Sequence, residues 1–510
     1  MSEELSNSRI AKNTLLLYFR MIILLIVSLY TCRIILDVLG IENYGLYNVV
    51  GGIVTVFTFL SSAMGNSTQR YITCALGKGN DTELKDIFGT TCLIHWLLAV
   101  IILILSETIG LWFFFHKMVI PPDRIQAAFW VFQASVVACM VSIISIPYNA
   151  LVIAHEQMGT FALLSIFYTF AKLGIVFIVK WTLYDKLVMY AILLLVIQIC
   201  DRLVYQFYCK RKFFESRDVA FRKTQVLKEM AGFAGWSILP YLATISYTQG
   251  LNILLNMFFG PTVNAAHAVA VQVQGVIKNF ITNFQTAVSP QIIKSYVCNN
   301  QNRLHRLIFS SSKLSFYLLL CMALPVILEA DYLLSIWLKD VPSHTTSFLR
   351  LIILATILDP LANPLCVANH ATGKIRRFNV VESSICLAII PVSYVFLKVG
   401  FAPESVFVIQ FILSIIVQFA RVAISRKQIS FTYLDYWKQI LGKVLVVSIV
   451  SPIIPYILYR SFPSDFWSFI LVVVVSIICV CTSACYLGLN SYERNLVQSK
   501  IIEIKNKFKK

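Results

Sequence analysis

Apolar stretches of about 20 residues recur from one end of this 510-residue chain to the other. That is the length a helix needs to cross a hydrocarbon layer about 30 Å thick at about 1.5 Å per residue. In such a layer every backbone N–H and C=O must be satisfied within the protein, which leaves only helices and closed barrels. The stretches are continuous rather than alternating, which excludes a barrel. Charged residues make up 13% of the chain, about half the share usual in a soluble protein. The expected fold class is therefore an all-α polytopic membrane protein.

Fourteen spans are expected. The first eight lie near 13–36, 44–64, 90–113, 125–147, 159–180, 187–208, 233–258 and 268–289. The other six lie near 310–330, 346–368, 378–398, 404–424, 439–459 and 466–487. The first, NTLLLYFRMIILLIVSLYTCRIIL, is too long for the apolar core of a secretory leader, contains Arg20 and lacks a small-residue cleavage site. It reads as an uncleaved helix.

The loops alternate in charge. Segment 209–232 carries seven Lys or Arg, and further basic residues fall on every second loop and in the tail 488–510, Arg421 among those assigned to the loops. The positive-inside rule places that side, with both termini, in the cytoplasm. The net charge of +18 is then explained by topology and lipid headgroups, with no nucleic-acid partner.

The thirteen cysteines lie mostly in or beside apolar runs, without a CxxC pair, so neither zinc nor a disulfide framework is indicated. HExxH, GxxxxGK[ST] and GxSxG are absent, so the chain is not read as an enzyme, and no cofactor is implied. His155-Glu156 is too isolated for a metal site and reads as a loop contact or gate.

A faint internal repeat runs through the chain. GIENYGLYNVVGGI from Gly40 resembles GPTVNAAHAVAVQVQGVI from Gly260, and LKDIFGTT at 84–91 resembles HRLIFSSS at 305–312, at nearly the same offset. Six spans per repeat is an even number, so both repeats share one orientation. The expected organisation is a six-helix bundle over 1–208, a basic cytoplasmic linker over 209–232 and a second six-helix bundle over 233–424. Two additional helices over 425–487 and a basic tail over 488–510 follow.

The opening segment resembles bacterial polysaccharide flippases of the Wzx kind, members of the MOP (multidrug/oligosaccharidyl-lipid/polysaccharide) exporter superfamily. Leu39-Gly40 followed by Tyr44-Gly45 and Tyr47 carries the resemblance most specifically, with STQRYITCALGKGN at 67–80 and IPYNALVIAHEQMGTFALLSI at 146–166. The resemblance implies two bundles forming a V-shaped central cavity. It also implies movement of an undecaprenyl-pyrophosphate-linked oligosaccharide from the inner to the outer leaflet by alternating access, with membrane lipids and other polysaccharide-assembly proteins as partners.

A path for such a substrate needs a few cations, many neutral hydrogen-bonding groups and an opening to lipid. Arg20, Lys172 and Lys278 are the candidate cavity cations. For Arg20 the alternative is snorkelling to the nearby surface; for Lys172 and Lys278 it is a salt bridge to an intramembrane carboxylate or a misplaced span edge. Gln249, Asn252 and Asn256 form one polar stripe, and Gln272, Asn279 and Asn283 a second, suited to sugar hydroxyls or to helix–helix hydrogen bonding. Asp359 is either a coupling carboxylate or an ion-pair partner. Two rivals remain. A cation-coupled drug or metabolite antiporter of the same superfamily would depend on Asp359 rather than Arg20. A glycosyltransferase or polymerase is disfavoured by outer loops of only about fifteen residues.

Overall fold

The computed structural model describes the backbone of residues 2–78, 81–155, 157–217, 224–372, 376–463, 465–490 and 493–494. Side chains are described from residue 19 onward, apart from further positions within 59–78, 224–238 and 283–297. The described residues are helical, with no strand among them. Among them, 11 helices are long and apolar enough to cross a membrane, and these coincide with eleven of the expected spans. The other three expected spans are helical too, apart from the turn at Phe57–Thr58, but Gly, Asn and Gln dilute their hydropathy.

The chain divides into two compact units, Met1–Ala268 and Val269–Lys510. In the first unit, α1 (Ser2–Val56) breaks at Gly40, whose φ of 78° is open to glycine at little cost. This break separates the first two expected spans. It is followed by α2 (Phe59–Lys78), α3 (Asp81–His116), α4 (Ile125–Ala154), α5 (Met158–Trp181), α6 (Lys186–Lys212) and α7 (Thr224–Phe259). Helix α7, expected to open the second bundle, packs on α1 and α2 within the first unit. It ends at Gly260, φ 79°, before α8 (Pro261–Val297). The first residues of the two repeat segments therefore share a positive φ.

Leu46, Val49, Val50 and Ile53 form a stripe at helical spacing, buried against Phe114, Val131, Phe132 and Leu187. A second cluster joins Ile72, Leu84, Phe88, Leu151 and Tyr205. By contrast, α5 turns Leu163 and Phe167 outward, each 70% exposed, as a lipid-facing helix does. Trp181 and Tyr184 are exposed at the turn into α6, where amphipathic rings anchor a helix pair at the membrane interface.

In the second unit, α9 (Gln301–Leu328) buries Leu304, Ile308, Phe316 and Leu320 against Leu361, Leu365, Val447 and Val480. The tenth expected span is two helices, α10 (Thr345–Thr356) and α11 (Asp359–Ala371), with Pro360 in the first turn of the latter. Pro at that point has no intrahelical N–H bond to lose. Then come α12 (Arg376–Val399), α13 (Ser405–Ile429), α14 (Tyr433–Ser461) and α15 (Phe466–Gly488).

Just beyond α15, Glu493 accepts hydrogen bonds from Lys313 Nζ at 2.7 Å, Ser310 Oγ at 2.5 Å and the Asn490 backbone N–H at 2.8 Å. Burial alone raises the Glu493 pKa, but these bonds outweigh it and hold the carboxyl below its usual value. Lys313 is fully buried, so the pair clamps the segment after the last helix onto α9.

A Cβ on Gly45 would lie 1.8 Å from the Pro261 carbonyl oxygen, whereas one on Gly51 meets nothing within 4 Å. Gly45→Ala is therefore expected to cost about 1–3 kcal/mol through overpacking, with Gly51→Ala close to neutral. Thermal unfolding of the two purified variants in detergent checks this.

Candidate functional site

Arg20 projects from α1 over the Phe161 ring of α5, 4.5 Å from its centroid, and its buried Nε has no hydrogen-bond acceptor among the described residues. Tyr205 of α6 lies within electrostatic reach of it. Lys172 of α5 lies 4.5 Å from the Tyr168 ring centroid and within electrostatic reach of Asp201 of α6. The Tyr168 hydroxyl donates to Gln198 Oε1 at 2.5 Å, tying the same two helices together. Asp201 sits near the middle of the 27-residue α6.

Arg202, not singled out in the sequence, follows Asp201 and lies 5.8 Å from the Trp96 ring centroid. Its Nε is also buried without an acceptor among the described residues. The first unit thus carries Arg20, Lys172 and Arg202 on membrane helices, with Asp201 serving Lys172.

The first polar stripe is occupied by protein groups. Asn252, 6% exposed, donates from Nδ2 to the Asn48 carbonyl at 3.2 Å, and its Oδ1 accepts from Asn264 Nδ2 at 2.7 Å. Asn256, fully buried, accepts from the Val119 N–H at 3.0 Å and donates to the Val119 carbonyl at 3.3 Å. Gln249 is half-buried, its Oε1 2.9 Å from where a Gly52 Cβ would stand. Asn252 and Asn256 thus join α7 to its neighbours here, the helix-bonding alternative of the two, while Gln249 lies beside Gly52. In the second stripe, Gln272 is half-buried and Asn279 exposed, both with partners. The Asn283 side chain lies outside the described residues.

The second unit holds a pocket of about 260 Å³ lined by Lys278, Gln285, Thr356, Asp359, Asn363 and Arg421, among others. It opens where α10 gives way to α11, so Asp359 stands in the first turn of the half-helix α11. Discontinuous helices of this kind supply binding groups at membrane depth in transporters. Lys278 Nζ meets Asp359 Oδ2 at 2.6 Å, with 53% and 43% of the two side chains left exposed on the pocket side.

Arg421 pairs with Glu382 of α12, and these side chains are only 16% and 24% exposed. Asn363 Nδ2 donates to Gln285 Oε1 at 2.6 Å, Gln285 Nε2 to the Pro360 carbonyl at 3.1 Å, and Gln274 Nε2 to Thr356 Oγ1 at 2.7 Å.

Arg421 corrects the sequence reading, which placed it among the cytoplasmic loops. Helix α13 continues to Ile429, about two turns further, so Arg421 projects into the bundle. Its partner Glu382, a carboxylate just inside the neighbouring span, was the available signal. Near the linker, His155 Nε2 meets Glu215 Oε1 at 2.6 Å and its ring stacks on Phe213 at 4.1 Å, a loop contact as expected.

Residues 10–296 match the family described as polysaccharide biosynthesis protein. The chain belongs to that family. No curated protein matches its sequence. This polysaccharide biosynthesis family member shares its fold with the lipid II flippase MurJ in its inward closed conformation. The TM-score is 0.72 at 12% identity, over 96% of this chain and 100% of that one.

An inward-facing multidrug resistance MATE family transporter of the MOP superfamily gives a TM-score of 0.69 at 14% identity, over 79% of this chain and 94% of that one. A MOP superfamily transporter from Pyrococcus furiosus gives 0.61 at 15% identity, over 82% and 96% of the two chains. The family is in keeping with the resemblance to polysaccharide flippases read in the sequence, the fold is the one these solved transporters share, and the chain is a multi-pass membrane protein.

Removing one partner of a desolvated ion pair costs about 3–5 kcal/mol, because the other charge is left stranded. Arg421→Met is accordingly expected to lower membrane accumulation sharply. The double variant Arg421→Met, Glu382→Leu is expected to regain accumulation without transport. Immunoblots of membranes, read beside an export assay, separate the two effects.

Proposed function

We propose that this protein is a flippase that moves a polyprenyl-pyrophosphate-linked oligosaccharide across the bacterial inner membrane during surface polysaccharide assembly, by alternating access. The observation that carries the proposal is the state of Arg20 and Arg202. Each is a guanidinium on a membrane helix with a buried Nε that finds no acceptor among the described residues. A charge in the bilayer interior costs about 2.5–3.5 kcal/mol even on the most lenient scale, and an anionic pyrophosphate offsets that cost while it is bound. Lys172 and Lys278 extend the same service, and the amides of Gln249, Gln272, Asn279 and Asn283 offer hydrogen bonds to sugar hydroxyls.

The antiporter rival is weakened by Asp359. The carboxylate that would take a coupling cation already holds Lys278 at 2.6 Å. Both termini and the linker 209–232 are placed in the cytoplasm by their Lys and Arg content, and the other partners are membrane lipids and polysaccharide-assembly proteins.

Arg20→Ala is expected to abolish polysaccharide export at normal membrane abundance. Arg20→Lys retains part of it, since an ammonium attracts phosphate without the bidentate contact of a guanidinium. Export normalised to membrane protein measures this, and near-normal export by Arg20→Gln would remove Arg20 from the site. For orientation, a cysteine replacing exposed Lys210, in a background without exposed Cys200, Cys298 and Cys481, should resist an impermeant thiol reagent in intact cells. Labelling there would reverse the topology and the direction of flipping.

A further inference from the structure

The pocket of the second unit has three features that attract an anion. Lys278 Nζ faces it, Arg421 presents a buried Nε with no acceptor among the described residues, and the half-helix α11 directs its N-terminus toward it. Its lining already includes one anion, Asp359. Glu382 does not line the pocket and is bound to Arg421.

We propose that Asp359 is a resident counter-anion, which holds Lys278 while the pocket is empty and is displaced when the phosphate of a polyprenyl pyrophosphate enters. This rests on the flippase reading and adds to it how the site is regulated. The exchange leaves no charge stranded. Lys278 trades a carboxylate for a phosphate oxygen, and released Asp359 remains in the first turn of α11, where the helix dipole favours it. It is also within electrostatic reach of Arg421, whose spare Nε offers it a second seat.

Together Lys278, Asp359, Arg421 and Glu382 sum to zero charge, so the empty pocket has little attraction for singly charged anions. A pyrophosphate carries enough charge, with donors shaped to its oxygens, to win the exchange. Leaving is eased in the same way, because Asp359 stands ready to reclaim Lys278.

The test uses the purified full-length protein in phosphatidylcholine nanodiscs, titrated with farnesyl pyrophosphate by calorimetry. Asp359→Asn should bind about tenfold tighter or better, because nothing competes for Lys278, and should export less because product is held. Asp359→Glu, which keeps the counter-charge, should give no such gain, and Lys278→Gln should lose binding. The wild type supplies an independent readout: infrared difference spectra should show a carboxylate stretch shifting when farnesyl pyrophosphate is added. Unchanged or weaker binding by Asp359→Asn, or no carboxylate shift on binding, overturns the exchange and leaves the flippase reading standing. Failure of the folded wild type to bind farnesyl pyrophosphate overturns the phosphate contact on which both rest. The same shift produced by phosphatidylglycerol alone would make a bulk lipid headgroup the displacing anion and overturn substrate exchange.

Discussion

A charge among lipid tails must be met by an opposite charge, a dipole or a bound substrate, and among the described residues four cations on these helices have a carboxylate within reach. Asp201 lies within electrostatic reach of Lys172, while Asp359 pairs with Lys278, Glu382 with Arg421 and Glu493 with Lys313. Every couple joins two different elements of the chain: α6 to α5, α11 to α8, α12 to α13, and the segment after α15 to α9. Apolar packing alone distinguishes poorly between a neighbouring helix and lipid, because both are equally oily. The ion pairs supply the discrimination that oil cannot. Arg20 and Arg202 stand apart, since each lies over an aromatic face and has neither a carboxylate ion-pair partner nor an acceptor for its Nε among the described residues.

The same physics decided what the sequence made legible. Continuous apolar runs located the 11 helices long and apolar enough to span a membrane, because hydrocarbon thickness leaves little freedom in their length. The second span, rich in glycine, was a weaker signal, since glycine adds little hydropathy to an apolar run. Arg421 was misplaced for a related reason: helices here run past the hydrocarbon edge, so a charge near the end of an apolar run can still project inward. Asn252 and Asn256 show the limit of pattern. A polar stripe at helical spacing looks alike whether it faces a sugar or a neighbouring carbonyl, and only the partners at Asn48, Asn264 and Val119 distinguish the two.

The repeat was faint in letters but clearer in backbone. Gly40 and Gly260 share a left-handed φ that other residues adopt only with strain, and each ends one helical segment and begins another. Gly45, five residues on, lets the segment after the first break approach Pro261, the residue after the second. A motif legible as Leu-Gly-x-x-x-Tyr-Gly is thus two backbone requirements placed in succession, one for a turn and one for proximity.

The clamp between Lys313 and Glu493 also bears on how the chain is made. The two residues are separated by 180 positions, so at about 5–20 residues per second the lysine is synthesised roughly 10–40 s before its partner. During that interval the Lys313 ammonium of α9 lacks the carboxylate it holds in the finished fold. Completion of the last helix and the turn beyond it supplies the missing charge. The clamp on α9 therefore closes only after the apolar helices of the second unit have been made, and a ribosome that stops before residue 493 leaves Lys313 without this partner.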